Sequence, residues 1–225
     1  MQPRAAWHNK SVETHRWDVV VFDYGRVLSQ SLTPVEIAEF AALVGIPEPP
    51  FFELYSGTRD EYDCGRHDCL QHWRHFADAA GIALPPERVA RIVEHETRLW
   101  LRVNPQALEL AREIRSHGLR TAILSNMPPD LLQAIRASFG WIDEFPVRIW
   151  SCEHGVIKPD AAIYKLCLDA LQCAPQRVLF FDDRPRNVAG ARKAGMDAHL
   201  FESAEQARTI VRAGLRWPVQ GEGSG

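Results

Sequence analysis

Three apolar runs, each ending abruptly in polar residues, constrain this chain more than any other feature. Asp18-Val19-Val20-Val21-Phe22 stops at Asp23, Arg120-Thr121-Ala122-Ile123-Leu124 stops at Ser125-Asn126, and Val178-Leu179-Phe180-Phe181 stops at Asp182-Asp183. Continuous β-branched and aromatic runs suit strands buried on both faces of a parallel sheet. Two weaker strands are expected over 147–150 and 198–201. Between the runs lie helical patterns. Residues 105–117 carry an apolar face and Gly118 follows as a stop, and 160–171 and 187–194 repeat the trend. Alternation of strand and helix predicts a parallel sheet with crossover helices, a Rossmann-like three-layer α/β core.

The stretch from 31 to 103 reads differently. Helices are expected over 37–44, 62–80 and 86–101 with no convincing strand, and Gly45 to Pro50 and Leu84-Pro85-Pro86 read as breakers. The expected organisation is a core from 17–30 and 104–216, an inserted α-helical cap over 31–103, and flexible ends at 1–16 and 217–225.

Composition excludes several classes. The formal net charge is −3, so no basic field argues for nucleic acid or an anionic membrane. No run is long and apolar enough to span a bilayer, and the first residues lack the apolar middle of a signal peptide. Five cysteines at 64, 69, 152, 167 and 173 show no paired metal-site spacing. Cys64 with His67 or Cys69 could suggest a metal, but free thiols in a reducing cytoplasm are the expectation.

In open α/β sheets, ligands bind beyond the carboxyl ends of the strands. Asp23, Ser125, Asn126, Asp182 and Asp183 would converge there, and Gly155-Val156-Ile157-Lys158-Pro159-Asp160 adds a cation before a helix. Carboxylates, a lysine and a hydroxyl suit metal-assisted phosphoryl transfer. Arg66, His67, His72, Trp73, Arg74 and His75 cluster in one stretch of the insertion. They could face a substrate, but a solvated helix face with a buried Trp accounts for them equally well.

Four motifs in order, across residues 18–201, resemble the haloacid dehalogenase superfamily. Val-Phe-Asp23-Tyr-Gly25-Arg-Val-Leu resembles its first motif and Leu-Ser125-Asn126 its second. Lys158 in Gly-Val-Ile-Lys-Pro-Asp resembles the third, and Phe-Phe-Asp182-Asp183-Arg-Pro-Arg-Asn187 the fourth. The resemblance implies a magnesium-dependent phosphatase acting on a small phosphorylated metabolite. Asp23 would be the nucleophile and Lys158 would neutralise it and the phosphate. Ser125 and the Asn126 amide would bind phosphate, Asp23, the Gly25 carbonyl and Asp183 would hold Mg2+, and Asp182 and Asn187 would support them. Most phosphatases of the family carry an acid where this chain has Gly25, and its absence leaves proton transfer without an owner. Losing such a group typically costs ~10²–10⁴-fold in rate. Arg26, in place of a small residue or Asn, is expected to contact substrate or pair with a carboxylate. The alternatives are a phosphate-binding member that turns over slowly or not at all, and a 2-haloacid dehalogenase. Oligomeric state is open.

Overall fold

The computed structural model describes residues 15–215. The expectation of flexible ends at 1–14 and 217–225 lies outside the described residues. Arg16, also expected in a loose leader, is instead tied down: its amide donates to the Gly214 carbonyl at 3.0 Å and its guanidinium pairs with Asp197 at 2.9 Å.

Five strands form one sheet: β1 Val19–Phe22, β2 Arg120–Ser125, β3 Val147–Trp150, β4 Val178–Asp182 and β5 Asp197–Leu200. Their order is β3-β2-β1-β4-β5, all parallel. Each expected strand is present, displaced by no more than one residue at either end. The strand carrying Asp23 is therefore central, flanked by those carrying Ser125 and Asp182.

Between residues 31 and 103, after β1, the chain forms five α-helices: α1 Pro34–Val44, α2 Glu48–Gly57, α3 Asp60–Asp63, α4 Cys69–Ala80 and α5 Pro86–Trp100. Two expectations are corrected here. Gly45 does end a helix in the left-handed conformation, but the prolines after it do not prolong a loop. Pro47 is the cap of α2 and Pro49 and Pro50 lie in its first turn, where a missing N–H costs no helical bond. The single helix expected over 62–80 is two, because Gly65 takes a positive φ of 79° and Asp68 starts α4 with a capping box to Gln71. The block has an apolar cluster of its own, built on Phe40, Phe51, Tyr55, Trp73, Phe76 and Ile92. Its two connections to the sheet run side by side. Ser29 bridges Val103, the Gln30 amide donates to the Arg102 carbonyl at 2.7 Å, and the Asn104 amide to Leu28 at 2.8 Å.

The rest of the chain supplies α6 Pro105–Ser116, α7 Pro129–Ser138, α8 Ser151–His154, α9 Ala161–Leu171, α10 Pro185–Lys193 and α11 Ala204–Gly214. Successive residues of β1 face opposite sides. Val20 and Phe22 pack with Ala111 and Ile114 of α6, Ile135 of α7 and Val211 of α11. Val19 and Val21 pack with Ile163 and Cys167 of α9 and Val188 and Ala191 of α10. This is the expected three-layer α/β core.

Gly190 lets α10 approach α9 closely enough to hold the site. A Cβ there would lie 2.8 Å from the Tyr164 hydroxyl and 3.0 Å from Pro159 Cβ. That hydroxyl donates to the Asn187 carbonyl at 2.7 Å. Gly190→Ala is expected to destabilise the fold by ~1–3 kcal/mol, overpacking outweighing the helix-propensity gain of alanine. Chemical denaturation checks this; a stabilised variant would contradict it.

Candidate active site

The site assembles because three parallel strands run out of sequence at the same edge. Asp23 follows β1, Ser125 is the last residue of β2, and Asp182 and Asp183 close and follow β4. Lys158 arrives from the segment between α8 and α9, and its position is set by Asn126. The Asn126 side chain donates to the Lys158 carbonyl at 3.0 Å and accepts from the Lys158 amide at 2.7 Å. Sequence reasoning assigned Asn126 a phosphate amide, and its side-chain clamp on the lysine had no signal in the motif. Ser125 is buried, with its hydroxyl near enough to Asp23 to help hold the carboxylate down.

Lys158 is wholly buried, and its three N–H donors are all engaged: Leu124 carbonyl at 2.9 Å, Asp182 Oδ2 at 2.6 Å and Asp23 Oδ1 at 2.9 Å. Burial alone disfavours the charged ammonium. The two carboxylates outweigh it and hold the lysine pKa above its ordinary value. In this arrangement Lys158 neutralises Asp23; direct contact with a phosphate would require one of the three bonds to be given up.

The two adjacent aspartates of the fourth motif differ sharply. Asp182 accepts from Lys158, the Arg184 amide at 2.9 Å and the Asn187 side chain at 2.9 and 3.1 Å, so both its oxygens are engaged. Asp183 has a buried Oδ2 with no hydrogen bond, faced only by the Arg26 guanidinium at 3.3 Å. Arg26 thus pairs with a carboxylate at the site mouth, and it does so from a left-handed backbone with φ of 59°.

Among the described residues, Asp23, Asp182 and Asp183 form the one acidic group with ligand atoms all within 4.8 Å of one another. Among the described residues no such group includes Cys64, Cys69 or His67. Lys158 bonds Asp23 and Asp182, and the charge of Asp183 is offset from the site mouth by Arg26 and Arg184. The Asp23 carboxyl is raised to about 7: burial pushes it up most, Lys158 pulls it down, and Asp182 and Asp183 push it up. Asp183 is likewise raised by burial and by Asp182, against Arg26, Arg184 and Lys158. A buried carboxylate oxygen that accepts no hydrogen bond, and carboxyl groups raised by burial and by one another, fit a hard divalent cation, which takes oxygen ligands and reverses that repulsion.

The cavity over these groups measures about 570 Å³ including its open mouth. Asp23, Gly25, Arg26, Asn126, Asp183 and Asn187 line it from the core; Tyr55, Arg59, Asp63 and Trp100 line it from the helical block. None of those last four was singled out by the sequence. The cluster that was singled out does not line the cavity. His72 and Trp73 are buried in the block, and Arg66 pairs with Glu61 on the surface. The missed group is a buried network. Arg59 bridges Asp63 at 3.0 Å and Glu96 at 2.5 Å and bonds the Tyr55 hydroxyl, which also accepts from the Trp100 indole N–H at 3.1 Å.

Comparison with known proteins identifies the family. The family model for haloacid dehalogenase-like hydrolases matches residues 15–195. A sesquiterpene phosphatase of Aspergillus oryzae is 30% identical over 155 residues, 67% of this chain and 76% of that protein. A phosphoserine phosphatase of Thermus thermophilus is 33% identical over 129 residues, 56% of this chain and 51% of that protein. The (S)-2-haloacid dehalogenase of Xanthobacter autotrophicus is 35% identical over 117 residues, 52% of this chain and 44% of that protein. The chain spans a small part of other curated relatives, 11% of mouse acyl-CoA dehydrogenase family member 10 and 25% of pig bifunctional epoxide hydrolase 2. In fold, it superposes on a magnesium complex of a haloacid dehalogenase family enzyme from Bacteroides thetaiotaomicron with a TM-score of 0.69. That match covers 88% of this chain and 99% of the other at 17% identity. With the motifs, the sheet order and the family match in agreement over most of its length, the chain belongs to the haloacid dehalogenase-like hydrolases.

Proposed function

We propose that this protein is a phosphatase that hydrolyses a small phosphomonoester through a phosphorylated Asp23. The observation that carries the reading is the Asp23–Lys158–Asp182 triad at the carboxyl edge of the sheet, beside an Asp183 oxygen that accepts no hydrogen bond and faces Arg26. Asp23, the Gly25 carbonyl and Asp183 would hold Mg2+, which would offset the repulsion between an anionic nucleophile and an anionic phosphate. The helical block over 31–103 acts as the cap, closing the cavity with Tyr55, Arg59, Asp63 and Trp100.

In the proposed sequence an Asp23 carboxylate oxygen attacks phosphorus as the bond to the leaving oxygen breaks. Lys158 holds Asp23 ionised and oriented, while Ser125 and the Asn126 amide take the phosphoryl oxygens. Water then attacks phosphorus and restores the carboxylate. Magnesium-dependent release of inorganic phosphate from aryl and alkyl phosphates, suppressed by a chelator, tests the reading. Magnesium-independent halide release from a 2-haloacid, with no phosphatase activity, would replace it with the dehalogenase alternative.

Gly25 sets the rate in this account. Its backbone, at φ −62° and ψ 122°, suits any residue, and a Cβ would meet only Trp100 Cζ3 at an ordinary 3.7 Å. Gly25→Asp is therefore expected to raise kcat for alkyl phosphates, whose leaving group needs a proton, on the order of 10²-fold. Aryl phosphates, with better leaving groups, should gain much less. Equal gains on both would contradict the proton-transfer explanation.

A further inference from the structure

A second cavity adjoins the first. About 370 Å³ including its opening, it is lined by Leu32, Ile37, Phe52, Ser56, Tyr55, Trp100, Arg26 and Arg184. The last four also line the cavity over Asp23, so the two spaces meet at a shared wall. We infer that this annex receives the leaving group of the substrate, and that the leaving group is apolar: a phosphate ester of a hydrophobic alcohol. The inference rests on the phosphate-ester reading of the site and specifies its substrate class.

The polar inventory of the annex decides between an apolar guest and a polyol. Leu32, Ile37 and Phe52 offer no hydrogen bond. The Tyr55 hydroxyl is committed to Glu96 at 2.6 Å and to Arg59 at 2.6 Å, and the Trp100 N–H to Tyr55, so these aromatics bring ring surface and no free donor. Arg26 gives one of its nitrogens to Asp183, and its remaining donors, like those of Arg184, stand on the wall shared with the cavity over Asp23. Of the four residues that line the annex alone, Leu32, Ile37, Phe52 and Ser56, only Ser56 offers a polar side chain. A sugar carries several hydroxyls, and each one buried unpaired weakens binding by about ten-fold or more. An alkyl or isoprenoid-like chain needs no partners and gains from every methylene removed from water.

Phe52 is one of the few large hydrophobic residues left exposed, at 37%. Leu32 and Ile37 are only partly covered although the apolar cluster of the same block lies beside them. At the junction, Arg184 stands next to Asp183, near the point where the phosphate end of such an ester would enter.

The test uses non-hydrolysable ligands, so it does not depend on turnover. Methyl-, butyl-, hexyl- and octylphosphonate are titrated into the full chain with magnesium by calorimetry, beside a hexose monophosphate. Affinity is expected to rise about three- to four-fold per methylene until the annex is filled, with the hexose monophosphate weaker than hexylphosphonate. In Ile37→Asn and Phe52→Ser variants the ratio of octyl- to methylphosphonate affinity is expected to collapse toward one. A flat series in the native protein, or a hexose monophosphate bound more tightly than the long phosphonates, would overturn the inference even if short esters are hydrolysed. A rising series in a protein that hydrolyses no ester would leave the annex assignment standing and overturn the hydrolytic reading instead. No binding of any phosphonate would overturn both.

Discussion

Asp23→Asn is expected to abolish phosphate release, lowering kcat by on the order of 10³–10⁶-fold while leaving the fold intact. The magnitude follows from losing a nucleophile for which nothing in the cavity substitutes. Asp63 is the one other carboxylate of that cavity outside the three-aspartate cluster, and it is bridged to Arg59. Stability should change little or improve. The native carboxyl is already pushed up to about 7 by burial among like charges, and a neutral amide of the same size relieves that repulsion. Retained activity together with unchanged stability would remove Asp23 from the chemistry.

Lys158→Met is expected to fail in both respects. The ammonium is wholly buried between Asp23 and Asp182, and removing one partner of a buried ionic cluster typically costs ~3–5 kcal/mol. For a chain of this size that lowers Tm by roughly 10 °C. The deficit has a predictable pH dependence. Without the lysine, the native-state pKa of Asp23, already raised by burial, rises further above that of the unfolded chain. The folded variant then binds more protons than the unfolded one, so its stability falls as pH rises from ~4 through the native-state value. The variant should approach native stability near pH 4 and fall furthest behind above pH 7. Thermal melts across that range check the sign; a deficit largest in acid would show that the lysine is not holding ionised carboxylates. Activity is expected to fall by ~10²-fold or more, because the nucleophile loses the charge that keeps it ionised.

The sheet was legible because its strands are buried on both faces. Continuous runs such as Val19–Phe22 and Val178–Phe181 have no competing explanation, and their polar ends mark the edge where a site must lie. Residues close to those ends, Asp23, Ser125, Asp182 and Asp183, came together for the same reason. What the sequence hid depends on side-chain direction across long separations. Asn126 clamps Lys158 thirty-two positions away, and Arg59 meets Glu96 thirty-seven away, each through rotamers that no local pattern encodes. The helical block misled in a specific way. Its dense His and Arg cluster over 66–75 drew attention, but Gly65 takes a positive φ between α3 and α4 and no residue of that cluster lines the cavity. Tyr55 and Arg59 do the lining instead, from a segment whose prolines read as loop but in fact start α2. Pro129 and Pro185 open α7 and α10 in the same way. The first helix went unnoticed in the sequence and the second was expected to start only at 187.

The central claim is that a phosphoryl group passes through residue 23. Mixing the magnesium-loaded protein with a rapidly hydrolysed aryl phosphate, quenching in acid within one turnover and reducing with borohydride converts an acyl phosphate to homoserine. Mass spectrometry of the digest then finds the modified position. The account predicts homoserine at residue 23 in the native protein and none in Asp23→Asn. Efficient phosphate release with residue 23 unmodified at every quench time, or with the label on another side chain, would contradict it.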